Sequence, residues 1–407
     1  MNTLLKPVVE MMHARLVAES VSLPTPSDPP QAHASGLDPD RIFLFGTHEA
    51  AGRGVVSHQL ALTGRLAEEV SQVTSRGVDV DFSAHTKRTI RTAAQTIKGQ
   101  KLQKYDAVVV ALGETDARVL THPRRWYRAM ESLLHTIQAD SSDSTPIVVT
   151  GIHPIEPVPG LAVSVTKRIG DHVSRLNHAT QQLCYRQENV TFVPFPALLL
   201  SQKDQRQTSA AYSSWARSIA HHLAPRLPGP GSYSGGERRA ARQIRSMPQS
   251  SIERQSSLRD LGVVESGAEE RFDRIVNLAR SYFRVSYAAF ILADGQDTWF
   301  KSKSGFRGAP DLETLAIATI DSGRPLVIPN MANHVQHRLS IFPGRSEKGF
   351  YAGYPIEAPD GHRIGVLCVL DAHPRSVKAM DKVMLRDLAM MLQRELWTSP
   401  TGEPGHE

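Results

Sequence analysis

The chain has 407 residues, of which 40% are hydrophobic and 22% are charged, and its formal net charge is +6. This composition is ordinary for a globular protein, and at roughly 100–200 residues per domain the length allows two to four domains. Cys184 and Cys368 are the only cysteines. They exclude a disulfide framework, fit a reducing cytoplasm, and are expected to be core thiols because each lies in an apolar pattern.

Residues 1–20 repeat apolar pairs near helical spacing, but Lys6, Glu10 and Arg15 interrupt them. Without an uninterrupted apolar segment, a signal peptide is rejected. No stretch of about 18 apolar residues occurs in the chain, so no membrane span is expected. Residues 21–36 are rich in Pro and Ser and predict a linker, so residues 1–35 are interpreted as an N-terminal helix and linker.

The next block alternates short apolar runs with amphipathic stretches. The central runs are continuous in Val, Ile and Leu, which is typical of parallel strands buried on both faces. This order predicts a doubly wound parallel α/β/α sandwich with its site at the carboxyl ends of the strands. The predicted strands are 42–46, 78–82, 106–113, 145–152 and 190–196, and the predicted helices are 56–73, 86–98, 122–139, 165–187 and 209–225.

The opening FLFGTHEAAGRGV and the later segments DAVVVALGETDA, PIVVTGI and VTFVPFP resemble, in order, the blocks of SGNH/GDSL hydrolases. The resemblance covers residues 36–226. In that family a serine after the first strand is the nucleophile, a histidine activates it, and an aspartate orients the histidine. A backbone N–H, a glycine and an asparagine stabilise the oxyanion.

The resemblance implies that most of these groups are missing here. Thr47 and His48 stand where the family has Asp-Ser, and Lys87 or a neighbour stands at the glycine. Thr115 replaces the asparagine, Asp204 aligns with the triad aspartate, and Gln207 aligns with the base histidine. An imidazole cannot form the acyl-serine ester, and glutamine cannot relay a proton. The block therefore resembles a hydrolase domain that has lost its chemistry, a pseudoenzyme.

A rebuilt site is the alternative to simple loss. Six polar residues of the strand-end loops could converge there and bind a divalent metal or run acid–base chemistry. They could instead be exposed loop residues that changed freely after the original chemistry was lost, and this second interpretation is preferred. No catalytic residue, metal or cofactor is therefore predicted. The six residues are His48, Glu49, His85, Glu114, Asp116 and Asp204.

Residues 227–262 begin with LPGPGSYSGG and continue as an arginine-rich helical pattern. They are interpreted as a linker and a basic connector helix. A basic stripe can contact nucleic acid. No aromatic residues interleave with these arginines, which argues against nucleic acid as a partner and for a solvated helix. The pattern is too short and interrupted for a coiled coil.

The last block predicts an α+β domain with an antiparallel sheet. It begins with an amphipathic helix at 270–283, continues with five strand patterns between 287 and 371, and closes with a helix at 379–396. Asp294-Gly295 and Asp360-Gly361 fall between strands, as hairpin turns require. Residues 398–407 are interpreted as a tail.

The stretch from about 258 to 397, including GRPLVIPNMANHVQHR and GFYAGYPIEAPDGHRIGVLCVLDAHPR, resembles a bacterial GAF domain. The domain itself is placed at 263–397. The resemblance implies a six-stranded antiparallel sheet with helices on one face and a ligand pocket on the other. Core packing is the alternative role for each of the five aromatic residues selected as ligand-binding candidates. These are Phe290, Trp299, Phe350, Tyr351 and Tyr354.

Together these patterns predict a cytoplasmic, non-catalytic signalling protein. Its GAF domain senses an unidentified small ligand or a partner, and its SGNH-like domain acts as a binding module. Homodimer formation is left undecided, because helices that flank GAF domains often pair across a dimer. The alternative function is a GAF-regulated esterase or acyl hydrolase with a rebuilt site.

Overall fold

The computed structural model divides the chain into two compact units, Met1–Ser234 and Gly235–Glu407, which are described separately. The helices and strands below are numbered in chain order. The structure describes residues 24–47, 50–84, 89–98, 100–153, 163–196, 208–227, 251–263, 267, 269–294, 297–305, 312–333, 349–377 and 380–398.

The first unit is built on a six-stranded sheet with the order β1-β3-β2-β4-β5-β6. Strands β2 to β6 are parallel to one another, and β1 pairs antiparallel with β3 at the edge. Every residue of β4 and β5 is buried, which explains why these strands read as continuous apolar runs. The strands are β1 Gln31–Ala34, β2 Asp40–Gly46, β3 Val78–Ala84, β4 Ala107–Ala111, β5 Ile147–Thr150 and β6 Val190–Val193.

Helices cover both faces of this sheet, which confirms the predicted doubly wound fold. Helices α1 and α6 pack over one face, where Leu66 and Ile219 meet Leu44 and Val109. Helices α2, α4 and α5 pack over the other, where Trp126 is fully enclosed. The helices are α1 Leu62–Thr74, α2 Ile90–Ile97, α3 Glu114–Arg118, α4 Pro123–Asp140, α5 Val163–Cys184 and α6 Ser209–Leu223, with 3-10 turns at Leu102–Lys104 and Ala224–Arg226.

Two elements of the first unit differ from the sequence prediction. Residues 31–34, predicted as linker, form β1, because their backbone pairs with β3 and Phe82 N–H donates to Pro30 O at 2.8 Å. Helix α1 begins at Leu62 rather than near 56, since 50–61 form consecutive turns after β2. The pairing of β1 with β3 is a tertiary contact, which is not visible in a local pattern.

The second unit contains an antiparallel sheet with the order β8-β7-β11-β10-β9. Five strands lie in the described residues, where the resemblance implied six. Gly361, at the β10–β11 turn, has φ of +83°, which favours glycine as the Asp-Gly prediction required. The strands are β7 Tyr287–Ala293, β8 Thr298–Ser304, β9 Leu326–Ile328, β10 Phe350–Glu357 and β11 Arg363–Asp371.

Helices lie on both faces of this second sheet. Helices α8 and α10 pack on one face and enclose an apolar cluster with it. Helix α9 packs on the opposite face and encloses a second, smaller apolar cluster. Helix α9 was not predicted, and it packs on the face where the resemblance implied a ligand pocket. The helices are α7 Ser251–Asp260, α8 Glu270–Phe283, α9 Glu313–Ser322 and α10 Lys382–Trp397, with a 3-10 turn at Met331–Asn333.

The predicted connector helix is present in part. Helix α7 occupies residues 251–260, and the arginine-rich stretch before it, 237–250, lies outside the described residues. Within the part of the chain that the structure describes, no helix is both long and apolar enough to cross a membrane.

Candidate functional site

The carboxyl ends of β2, β4, β5 and β6 meet at one edge of the first sheet. Thr47 directly follows β2; it is buried, and its N–H donates to Ala111 O at the end of β4 at 3.2 Å. This hydrogen bond continues the strand pairing by one residue. Four predicted positions of this edge lie outside the described residues, so their placement stays a prediction: His48, Lys87, Asp204 and Gln207.

Thr115, the predicted replacement of the oxyanion asparagine, lies in the first turn of α3. The turn from β4 into α3 passes through Gly113, which has φ of +119°. A Cβ on Gly113 would lie 2.5 Å from Ile152 Cδ1, so glycine is required for both backbone and packing reasons. Thr115 is half-buried, and its neighbour Glu114 is buried.

A polar and aromatic row lies at this strand edge. Glu114 forms an ion pair with Arg118, and His153 Nε2 lies 3.9 Å from Glu114 Oε1. The His153 ring lies 5.7 Å from that of Phe195, which contacts Trp215 of α6 at 5.3 Å. The row, from α3 through the ends of β5 and β6 to α6, thus places a carboxylate, a guanidinium, an imidazole and two aromatic rings side by side. We call it the strand-edge row.

Asp116 does not join this row. Its carboxylate accepts hydrogen bonds from Ile90 N at the start of α2 and from Thr121 Oγ1, each at 2.8 Å. Burial raises the pKa of Asp116, although these hydrogen bonds oppose the shift. Asp116 therefore ties α3 to α2. Of the six polar residues considered for a rebuilt site, the structure places Glu114 at the strand edge and turns Asp116 away, while His48, Glu49, His85 and Asp204 lie outside the described residues.

Sequence reasoning missed Arg118, Phe195 and Trp215, and it did not include His153 among the candidates for a rebuilt site. Arg118 follows Glu114 by four residues, a helical spacing that places the two side chains together. This spacing was a usable signal. Phe195 and Trp215 meet only through the tertiary fold. Among the described residues, no group of three His, Cys, Asp or Glu side chains is arranged to hold a metal ion.

Both thiols are buried, as expected. Burial raises the pKa of Cys184 and that of Cys368 to about 12 in each case. Neither thiol forms a thiolate at neutral pH, so neither acts as a nucleophile there.

In the second unit, the five aromatic candidates lie on opposite faces of the sheet. Four of them pack with the cluster under α8 and α10: Phe290, Trp299, Phe350 and Tyr354. The Phe290 ring contacts Phe272 of α8 at 5.4 Å. Tyr351 belongs to the opposite cluster, under α9. The five side chains therefore do not line a common pocket, because neighbours in a strand point to opposite faces.

The α9 face carries a buried hydroxyl pair. Tyr351 is fully buried, and its Oη lies 2.8 Å from Thr319 Oγ1 of α9. Tyr351 Oη also donates to Leu315 O at 3.3 Å. The partly buried rings of Tyr287 and Phe300 lie on the same face. Sequence reasoning missed Thr319, Tyr287 and Phe300, although strand alternation relative to Tyr351 was an available signal for the two rings.

Residues 267–396 match the model of the GAF domain family, and they form a GAF domain. A cyclic di-GMP phosphodiesterase of Pseudomonas aeruginosa is 29% identical over 155 residues, which are 37% of this chain and 26% of that protein. The chain thus spans about a quarter of the length of this curated relative.

Similar solved structures include a lipase/acylhydrolase from Enterococcus faecalis, with 15% identity over 47% of this chain and 98% of that chain, and a TM-score of 0.37. Phospholipase A1 from Streptomyces albidoflavus is 14% identical over 47% of this chain and 100% of that chain, with a TM-score of 0.36. An aryl esterase of M. smegmatis has the same identity and TM-score over 46% of this chain and 100% of that chain. The doubly wound fold of the first unit is established by its own sheet order and helix layers.

Proposed function

We propose that this protein is a non-catalytic signalling protein, in which the GAF domain binds a small ligand or a partner and the doubly wound domain serves as a binding module. GAF domains are sensory and signalling modules, and the similarity to a cyclic di-GMP phosphodiesterase supports a place in nucleotide signalling.

The Glu114–Arg118 pair is the observation that carries the non-catalytic part of this proposal. Glu114 is 5% exposed and directly precedes Thr115, which stands where SGNH hydrolases have their oxyanion asparagine. An oxyanion needs hydrogen-bond donors directed at it, and removing one donor typically costs about 10²–10³ in kcat. Here the group that precedes Thr115 is a carboxylate, which donates no hydrogen bond when it is ionised, and the neighbouring Arg118 is already paired with it.

The sequence supports the same conclusion at the nucleophile. His48 stands at the family's serine, and Gln207 stands at its base. Loss of both groups removes the acyl-serine route, because position 48 offers no hydroxyl to form the ester and glutamine cannot accept and return the proton.

Ester turnover by the purified chain tests this proposal. We expect hydrolysis of p-nitrophenyl acetate and butyrate at the rate of the buffer. The variants Asp204→Ala and Glu114→Gln should leave this rate unchanged. The triple variant His48→Ser/Thr115→Asn/Gln207→His restores three of the family's groups. Its turnover is compared with that of the wild type.

A rebuilt hydrolase is the second candidate, and the 3.9 Å approach of His153 to Glu114 favours it. A histidine beside a carboxylate at the strand ends can take up and return a proton. Turnover above the buffer rate that is lost in both His153→Gln and Asp204→Ala would establish this second function and overturn the first.

Ligand binding by the GAF domain is tested by thermal unfolding of the full chain with cyclic di-GMP, cyclic AMP and cyclic GMP, each in turn. A ligand at 100 times its Kd adds about 2.7 kcal/mol to the stability of the domain that binds it. We expect Thr319→Val to weaken the stabilisation by a ligand that occupies the α9 face. A surface control, Arg324→Ala, should leave it unchanged.

A further inference from the structure

Helices α2 and α4 present a face of the first unit that is rich in exposed basic side chains. The two helices pack against each other over the same side of the sheet. Two acidic residues, Glu131 and Asp140, occur in the segment set formed by α2, the turn Leu102–Lys104 and α4. Both are half-buried. We call the exposed cationic set the basic face: Arg91, Lys98, Lys101, Arg124, Arg125 and Arg128.

The carboxylates of the intervening segments are turned inward. Asp106 accepts from Arg41 N at 2.8 Å, and Asp116 accepts from Ile90 N. Glu114 pairs with Arg118 at the strand edge. Because these carboxylates bind partners within the unit, they do not neutralise the outer surface of the two helices.

The first turn of α4 carries positive side chains at the N-terminal end of the helix, where cations are least favourable. Arg124 and Arg125 lie in this turn, which contains no acidic residue. The helix dipole is positive at this end, so cations there are unfavourable for the helix. The first-turn N–H groups donate to His122, with Arg124 N reaching Nδ1 at 3.2 Å and Arg125 N reaching the carbonyl oxygen at 2.8 Å. An anion would therefore meet the arginine side chains and not the helix backbone.

The face also has a concave part. Lys98, which directly follows α2, and Arg128 of α4 line a groove of about 600 Å³, together with Glu131, His135 and Asp140. Glu131 lies at the middle of α4, and Asp140 is its last residue. A polyanion is therefore favoured over the N-terminal half, where the three arginines of α4 are grouped.

We propose that the basic face binds the phosphate backbone of a nucleic-acid duplex. Four of its six cations are arginines, whose planar guanidinium groups pair with phosphate through two parallel hydrogen bonds. Among the described residues of α2 and α4, no large hydrophobic side chain is exposed, so insertion into a membrane is not favoured. These two helices expose no Phe, Tyr or Trp ring on which single-stranded bases could stack. This surface differs from the arginine-rich connector, whose pattern argued against such a partner.

Fluorescence anisotropy of the full chain with a labelled 25-base-pair duplex of mixed sequence tests the proposal. The variant Arg124→Glu/Arg125→Glu/Arg128→Glu should weaken binding at least tenfold at about 50 mM NaCl. Each phosphate contact contributes about 0.9 to the slope of log K against log salt, so losing three should flatten the slope by about 2.7. Glutamates in the first turn favour the helix dipole, which protects the fold of this variant.

The control variant Arg226→Glu/Lys303→Glu/Arg324→Glu changes the net charge equally through exposed residues elsewhere. We expect less than a twofold change in its affinity. Equal weakening by both triple variants would overturn the proposal, because only net charge would then matter. Absence of salt-dependent duplex binding by the wild type would overturn it as well, as would binding only to phosphatidylserine vesicles or only to the single strand.

Discussion

At the N-terminal edge of the first sheet, Asp40 and Arg76 form an ion pair that is closed to water. Arg76 Nη2 lies 2.6 Å from Asp40 Oδ2, and their side chains are 8% and 0% exposed, respectively. Breaking a buried pair leaves an uncompensated charge in the interior, which typically costs about 3–5 kcal/mol. We expect Asp40→Ala to lower the free energy of unfolding of the first unit by this amount in urea titrations.

An exposed pair in the same unit provides the comparison. Arg217 is 70% exposed where it pairs with Glu69 at 2.8 Å. Exposed pairs contribute about 0–1 kcal/mol, so Arg217→Ala should change little. Similar losses in the two variants would contradict the role assigned to burial.

Asp116 gives the first unit a pH dependence at the level of a single residue. Because burial raises its folded pKa above the ordinary 3.8, the native state binds its proton more tightly than the unfolded chain does. Stability from this group is greatest below the unfolded value, and it is lost as the pH rises through the raised pKa. Asp116→Asn carries no ionisable group. Its stability relative to wild type should therefore improve from pH 4 to pH 7 in urea unfolding, and parallel pH profiles would refute this assignment.

Among the elements, α7 depends mainly on polar contacts for its position. Ser257 is buried, and its hydroxyl lies 2.6 Å from Asp360 Oδ2 and 2.9 Å from His362 Nδ1 at the β10–β11 turn. Arg254 donates to Asp321 of α9 at 2.9 Å. Ile252 is 77% exposed, and Leu258 alone of the apolar side chains of α7 is buried in the core.

Removing the Ser257 hydroxyl should therefore loosen α7 without unfolding the GAF domain. A buried hydrogen bond contributes about 0.5–1.5 kcal/mol, which corresponds to up to about tenfold faster amide exchange. In hydrogen–deuterium exchange, Ser257→Ala should accelerate exchange in Ser251–Asp260 and leave α8 unchanged. The exposed neighbour provides a matched control, Ser256→Ala, which should have no such effect. Unchanged exchange of α7 in Ser257→Ala would show that Leu258 and the Arg254–Asp321 hydrogen bond hold the helix without the Ser257 hydroxyl.

The elements also show where local patterns suffice. Helix α8 matches its predicted bounds, because Phe272, Ile275, Val276, Ala279 and Phe283 form one apolar stripe and all face the core. The four-residue strand β1 has no such pattern, since its pairing with β3 defines it. The five aromatic candidates are divided between two faces for the same kind of reason, because Phe350 and Tyr351 are adjacent in β10 and point to opposite faces.

At the scale of the whole molecule, each unit encloses its own hydrophobic cores. Leu66 of α1 is fully buried in the first unit, and Leu388 of α10 is 1% exposed in the second. Replacing a buried leucine by alanine typically costs about 2–5 kcal/mol. We expect calorimetry of the full chain to resolve two transitions, with Leu66→Ala lowering one and Leu388→Ala lowering the other.

Exposed alanine substitutions provide the controls. Val73 of α1 and Met391 of α10 are 61% and 46% exposed, so Val73→Ala and Met391→Ala should shift neither transition appreciably. If either core variant moved both transitions equally, the two units would unfold as one cooperative structure.

The sequence by itself determined the two fold classes and the resemblance of residues 258–397 to a GAF domain, because buried parallel strands and amphipathic helices leave periodic patterns in the chain. It also placed Thr115 after β4 and excluded a serine at position 48. Only the tertiary structure brought His153 beside the Glu114–Arg118 pair, turned Asp116 toward α2, and packed α9 against the second face of the GAF sheet. These contacts join residues from different elements, and their geometry depends on how the layers pack rather than on any local spacing.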